Sequence, residues 1–232
     1  MITIDVHTHI LPGIDDGANH MEDALALLRM EAQQGVKTVV LTPHFDLQNT
    51  KLQAFVEKRA YIVERLRREA AELPIQLLVG AEVMYSPRIL ECADALCIEG
   101  TSYLLVEFPM YAYPQIAIEV FRELCQRGIT PIIAHGERYL FSGAVALLEK
   151  LTNNGALLQV NVDGILDRKL KKRIYELADR DLISLLASDT HSPITRRPAW
   201  EKALPKWKKK VPGLVSYCEE NALEILKKEV LK

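Results

Sequence analysis

Cysteine is scarce and scattered in this chain. Four residues in 232 (Cys92, Cys97, Cys125 and Cys218) form no CxxC pair and no ribbon-like spacing. That excludes a disulfide scaffold or a thiolate zinc site and leaves reduced thiols as the expected state. No apolar run approaches the roughly 18 residues needed to span a bilayer. The N-terminus also lacks a basic stretch followed by a long apolar one, so neither membrane insertion nor secretion is expected, and a cytoplasmic location is. Excess charge is missing too: the formal net charge is −2, which gives no electrostatic case for binding nucleic acid. The basic run "KWKKK" (206–210) reads as a solvated face. Neither GxGxxG nor GxxxxGK[ST] occurs, which removes the common nucleotide-binding loops.

What is present is ordinary globular material, 49% hydrophobic and 26% charged, with no linker or low-complexity tract to divide it. One domain over residues 1–232 is expected. Short β-branched runs alternate with amphipathic stretches. The strand candidates are 2–7, 36–43, 75–83, 103–108, 130–135, 156–162 and 183–189, most of them apolar throughout, as parallel strands covered on both faces are. Helical patterns fall at 20–34, 51–72, 87–96, 114–127, 141–154 and 168–180, then near 198–209 and 213–230. Asn19 with Glu22 reads as a capping box, and Gly35, Gly128 and Gly155 stand where helices should stop. Seven such units predict an α/β protein with a parallel sheet, closed into a barrel or opened as a doubly wound sheet.

The strand ends carry the chemistry. His7 and His9 close the first candidate, His44 the second, Glu82 the third and Glu107 the fourth. His135, Asn161 and the pair Asp189 and His191 close the remaining three. A satisfied loop contact explains any one of these. Six strands of seven ending on His, Asp or Glu call for a common cause, because a βα-barrel gathers those ends on one face. His7 and His9, two residues apart on extended backbone, point to one side. Asp5 falls on that side as well, either to orient an imidazole or to plug the interior. Imidazole and carboxylate donors without thiolate suit Mn, Fe or Zn. There are too many of them for one ion, and multi-metal sites are typical of phosphoester chemistry.

In this order, "DVHTHILPGIDDGA", "TPHF", "GAEV", "LLVEF", "AHGERY" and "LASDTHS" resemble the bacterial capsular-polysaccharide tyrosine phosphatases. These metal-dependent enzymes belong to the polymerase-and-histidinol-phosphatase (PHP) superfamily. The resemblance covers nearly the whole chain. It implies a distorted seven-stranded βα-barrel and a site for three divalent ions, commonly Mn. One ion would be held by His7, His9, Glu82 and Asp189. Glu82 would bridge to a second with Glu107 and His135, and the third would take Asp16, His44 and His191. Arg138 matches the arginine that holds phosphate. The ligand in the first loop could be Asp16 or Asp15. Two departures are visible: a short segment after "QVNVDGI", and "TPHFD" at the second strand end.

The implied activity is protein-tyrosine phosphatase, in which hydroxide formed at the metals attacks phosphorus and His44 or His191 helps protonate the leaving phenolate. The implied partner is the phosphotyrosine tail of a bacterial tyrosine autokinase controlling capsule or exopolysaccharide synthesis. A small-molecule phosphatase of the histidinol-phosphate type is the alternative. Thiol-based tyrosine phosphatase chemistry needs Cys-x5-Arg, and Ile98, Tyr103, Pro131 and Glu224 stand where that arginine would be. Tyr85, Tyr111 and Tyr113 follow ligand-bearing strands and either flank an aromatic substrate or pack loops. His20 reads as a surface or capping residue.

Overall fold

The protein is described as a computed structural model covering residues 2–109, 116–141 and 143–227. It opens with β1 (Ile4–Thr8), α1 (Met21–Gln33), β2 (Thr38–Leu41) and a two-residue β3 (His44–Phe45). Next come α2 (Leu52–Glu69), β4 (Gln76–Val79), β5 (Glu82–Met84), a short α3 (Ala93–Leu96) and β6 (Tyr103–Glu107). Regular alternation then sets in with α4 (Ala117–Gln126), β7 (Thr130–Ile133), α5 (Ala144–Asn153) and β8 (Leu157–Asn161). The last elements are α6 (Lys171–Ala178), β9 (Leu185–Ala187), α7 (Trp200–Lys210) and α8 (Leu214–Lys227). Every pairing is parallel, in two sheets ordered β1-β2-β4 and β3-β5-β6-β7-β8-β9.

The α/β reading therefore holds, but the ladder is not seven unbroken strands closed on themselves. Nine strands are found among the described residues, because the second and third expected strands are each interrupted. Pro43 has no N–H, so the bond it would give to the Gly80 carbonyl is missing. The Arg59 guanidinium supplies that bond from α2 instead, at 2.6 Å. The register is the same on both sides of the break: Leu41 faces Val79 and His44 faces Glu82. Beyond the two sheets, a single parallel bridge joins Thr8 to Thr190.

Both faces of the strands are covered. In β6, Leu104 and Val106 join the large core beneath the helices, while Tyr103 and Leu105 join a smaller cluster with Ile4, Val6, Ile132 and Leu185. This is the two-residue period of strands buried on both sides. Ala222 and Ile225 of α8 complete the smaller cluster.

Two local expectations are corrected. The N-cap of α1 is His20, whose backbone N–H donates to Asp23 Oδ2 at 3.3 Å, so the box sits one residue later than Asn19 and Glu22. In β1 the pairing with β2 shifts by one residue between Asp5 and Thr8. Such a bulge uncouples the faces of neighbouring side chains. Asp5 consequently does not share the side of His7. It accepts from the backbone N–H groups of His7 and Ser188 and meets Glu31 of α1, which in turn accepts from Trp200 Nε1 at 2.9 Å. No helix among the described residues is long and apolar enough to cross a membrane.

Candidate metal centre

The nine sequence-predicted ligands come together. His7 is the last residue but one of β1 and His9 follows it, His44 opens β3, Glu82 opens β5 and Glu107 closes β6, while His135 follows β7 and Asp189 and His191 follow β9. Asp15 and Asp16 arrive on the loop after His9, which folds back on β1: Ala18 N donates to His9 O at 3.0 Å. Gly17 makes that fold possible, since a Cβ there would lie 2.0 Å from the His9 carbonyl oxygen.

Glu82 sits at the middle, fully buried. Its Oε2 is 3.2 Å from His7 Nε2, 3.1 Å from His9 Nε2 and 3.1 Å from His44 Nδ1, and its Oε1 is 2.7 Å from His135 Nε2. Burial alone would raise its pKa, but the facing imidazoles His7 and His135 hold it well below the usual carboxylate range. Asp189 divides its two oxygens between tasks. Oδ2 accepts from Asn161 Nδ2, Arg138 Nη2 and Arg196 Nη2 at 2.7–2.8 Å, whereas Oδ1 has no hydrogen-bond donor and faces His7, His9 and His191 at 3.5–3.6 Å.

The outer nitrogens of the imidazoles are tied down. His7 Nδ1 donates to Gln159 Oε1 at 3.1 Å, His9 Nδ1 to Asp15 Oδ2 at 2.8 Å, His135 Nδ1 to Asn161 Oδ1 at 3.2 Å, and His191 Nδ1 to the Asp189 carbonyl at 2.9 Å. Each ring therefore turns Nε2 inward, the arrangement that fixes the tautomer of a metal-binding histidine. Burial works against a charged His9, yet Asp15 and Glu82 raise its pKa to about 10, and Asp15 itself is lowered to about 2 by His9 against its own burial. His191 is pushed the other way, to about 4, by burial and by the neighbouring His9.

These contacts separate the two aspartates. Asp15 is spent on His9 Nδ1, His44 N and Gly17 N. Asp16 is exposed and holds Oδ1 at 3.5 Å from His44 Nε2 and 3.6 Å from His191 Nε2. Four groups of donor atoms lie close enough to share an ion: His9, Asp16, His44 and His191; His7, His9 and Glu82; His7, His135 and Asp189; His44, Glu82 and Glu107. Among the described residues, the inward atoms Glu82 Oε1 and Oε2, Asp189 Oδ1 and His191 Nε2 have no hydrogen-bond partner. A donor set of this kind fits divalent cations that accept nitrogen and oxygen ligands.

Backbone geometry marks the same place. His135 and Asp189 adopt left-handed conformations, φ 54° and 53°, which cost energy for non-glycine residues and collect at functional sites. Three neighbours were missed in the sequence, Glu137 among them although it lies within "AHGERY". Gln159 is one of two amides, with Asn161, inside the otherwise apolar run "ALLQVNV", and that was its only signal. Arg196 sits in a loop without a pattern. Glu137 is buried next to Arg138, with its pKa raised by burial to about 7 and Oε2 accepting from Asn161 N. Asn161 makes a satisfied buried hydrogen-bond set rather than an open contact. Tyr85 packs on Phe108 and Phe121 in the core, and Tyr111 and Tyr113 lie outside the described residues. The four cysteines are free and buried or half-buried.

Fold and site define a parallel α/β protein with a carboxylate–histidine centre for divalent metals at its strand ends. Comparison with known proteins narrows this. The chain belongs to the CpsB/CapC family of capsular polysaccharide synthesis, whose family model matches residues 3–227. It is 31% identical over 238 residues to the tyrosine-protein phosphatase YwqE of Bacillus subtilis (strain 168), covering 98% of this chain and 93% of that protein. The tyrosine-protein phosphatase CpsB of Streptococcus pneumoniae is 32% identical over 215 residues, 86% of this chain and 87% of its own. A solved structure from work on YwqE and CpsB, described as unique metal-dependent tyrosine phosphatases, superposes with a TM-score of 0.86 at 30% identity, covering 99% of this chain and 96% of the other.

Proposed function

We propose that this protein is a metal-dependent protein-tyrosine phosphatase. The observation that carries the reading is the ring of imidazole and carboxylate groups around Glu82, the outer nitrogens of His7, His9, His135 and His191 being already committed elsewhere. Similarity to two proteins named as tyrosine-protein phosphatases selects phosphate-ester hydrolysis over other hydrolytic chemistry, and favours phosphotyrosine over histidinol phosphate as the ester.

His7, His9, Glu82 and Asp189 would hold one ion, Glu82, Glu107 and His135 a second, and Asp16, His44 and His191 a third. Three Mn ions are the expected complement. Bound there, divalent ions would neutralise phosphate charge and make water a nucleophile at neutral pH. The remaining roles fall to the chain. Arg138 and Arg196 bring two guanidinium groups to the edge of the centre, donors suited to phosphate oxygens. A cavity of 510 Å³ lined by Ile14, Phe45 and Met84 opens beside His44 and Glu107 and has room for a phenyl ring. His44 has 39% of its side chain exposed at that opening and, in this reading, would hand a proton to the leaving oxygen from the nitrogen not engaged by an ion, with His191 as the second candidate. The seven sequence segments, joined through the Thr8–Thr190 bridge, are read as a distorted barrel around this site. Its partner in this reading is the phosphotyrosine tail of a bacterial tyrosine kinase acting in capsule or exopolysaccharide synthesis.

The test is turnover of a phosphotyrosine peptide, histidinol phosphate and nucleotides by Mn²⁺-loaded protein, with and without chelator. Preference for phosphotyrosine, lost on chelation, is expected. Turnover of histidinol phosphate well above phosphotyrosine would move the assignment to the small-molecule class.

A further inference from the structure

After β7 the turn "HGER" delivers two residues of the site, His135 and Arg138. The two residues between them turn inward: Gly136 and Glu137 are buried, and Glu137 has no exposed surface at all. Gly136 presses on β8, where a Cβ would lie 2.8 Å from Leu158 Cδ1. His135 N donates to Gln159 Oε1 at 3.1 Å, and Glu137 Oε2 accepts from Asn161 N at 3.2 Å. Arg138 N closes the turn by donating to His135 O at 2.8 Å. From the other side Gly164 comes close, since a Cβ there would lie 3.4 Å from Glu137 Cγ. The Glu137 side chain is therefore fixed by its own turn, by β8 and by the segment that follows β8.

One oxygen of this carboxylate is left over. Glu137 Oε1 is buried without a hydrogen-bond partner among the described residues and stands 4.0 Å from Arg138 Nε. That is too long for a hydrogen bond but well within reach of charge attraction. A buried carboxylate calls for a compensating charge, and the charges that oppose its burial are those of His135 and Arg138. His135 is already engaged by Glu82, at 2.7 Å. Arg138 answers to two carboxylates, Asp189 and Glu137, whose charges act against its own burial. Its Nη2 donates to Asp189 Oδ2 at 2.7 Å, its Nε side faces Glu137, and 30% of the side chain stays exposed. A planar guanidinium held at two places keeps its remaining donors in one fixed plane.

We propose that Glu137 is the positioning residue of Arg138, holding the guanidinium from behind so that its exposed edge meets the phosphate of the substrate. The inference rests on the phosphatase reading, in which Arg138 binds phosphate. With no exposed surface, Glu137 acts on phosphate only through Arg138.

The experiment is a double-mutant cycle. Glu137→Gln keeps the volume and an acceptor for Asn161 N while removing the charge. Metal-loaded wild type, Glu137→Gln, Arg138→Ala and the double variant are compared for inhibition by inorganic phosphate and for kcat and KM on p-nitrophenyl phosphate, with metal content measured alongside. With Arg138 present, Glu137→Gln should weaken phosphate inhibition and raise KM by about fivefold, and with Arg138→Ala in place by less than about twofold. Metal content should match wild type throughout. Glu137→Asp, which keeps the charge, should lie closer to wild type than Glu137→Gln. An equal loss in both backgrounds, no loss in either, or the reverse order of the two Glu137 variants overturns the assignment. A loss accompanied by fewer bound ions also overturns it, and gives Glu137 to His135 and Asn161 instead. Wild type that hydrolyses no phosphate ester and is not inhibited by phosphate overturns the phosphatase reading itself.

Discussion

His7 Nε2 and His9 Nε2 face each other across 3.1 Å. The opposite nitrogen of each ring is donating to an oxygen, on Gln159 and Asp15 respectively. One proton between them makes an N–H···N hydrogen bond with His9 as imidazolium, whereas a divalent cation in its place would take both lone pairs together with the unpartnered oxygens of Glu82.

The outer partners are testable apart from the ligands. Gln159→Leu removes the acceptor shared by His7 Nδ1 and the His135 backbone N–H while changing no proposed ligand itself. Mn²⁺ affinity should fall by about 10- to 100-fold, as loss of such supporting bonds typically causes. Metal titration followed by calorimetry checks it, and unchanged affinity would mean that Gln159 only fills space.

Asp15 and Asp16 should behave differently. Asp16→Ala is expected to lower the number of ions bound per chain by one, since Asp16 faces His44 and His191. Asp15→Asn is expected to keep the number but weaken binding by about 10-fold, because its contact is to His9 Nδ1. Elemental analysis of the two purified variants distinguishes them. A lost ion in Asp15→Asn with a full complement in Asp16→Ala would reverse the roles.

Gly17→Ala should lose the loop. The added methyl would lie 2.0 Å from a backbone oxygen, that of His9, and 2.7 Å from His9 Cβ. Separation by backbone movement would pull Asp15 and Asp16 from the centre. A loss of about 2 kcal/mol or more of stability is expected from a clash of this kind, read as a lower Tm together with reduced metal content. Wild-type values for both would contradict the account.

Asp5 and Glu31 give the pH dependence. Burial, then the charge of Asp5, raises the pKa of Glu31 well above the usual carboxylate range. Asp5 Oδ2 and Glu31 Oε1 otherwise lack partners, and a proton held by Glu31 serves both. The folded protein therefore keeps a proton that the unfolded chain releases above about pH 4.5, so stability declines as pH rises from there toward the folded pKa, at up to about 1.4 kcal/mol per pH unit. Glu31→Gln preserves an acceptor for Trp200 Nε1–H and should flatten that decline. Tm profiles of both proteins from pH 5 to 8 decide it, and parallel curves would refute it.

Much of the site was legible because strand ends are punctuated by residues that have little reason to sit in apolar runs. His7, His9, His44, Glu82, Glu107, His135, Asp189 and His191 each stood out in that way. Asp5 misled because periodicity assumes a regular strand, and the bulge between Asp5 and Thr8 left no mark in "ITIDVH". The interruption of two strands was written in Pro43 and Gly80, but replacing the lost bond took Arg59, 16 residues after Pro43 on another element. Arg196 was invisible because its place depends on a loop closed by its own carbonyl, a tertiary fact with no local pattern.

The most direct test of the central claim is metal stoichiometry measured alongside phosphotyrosine hydrolysis. Protein stripped by chelation is titrated with Mn²⁺ while bound metal and turnover of a phosphotyrosine peptide are followed together. The account predicts no turnover when stripped, three ions per chain at saturation, and activity rising with the last of them. Full turnover by the stripped protein, or hydrolysis unchanged in His7→Ala/His9→Ala, would contradict it.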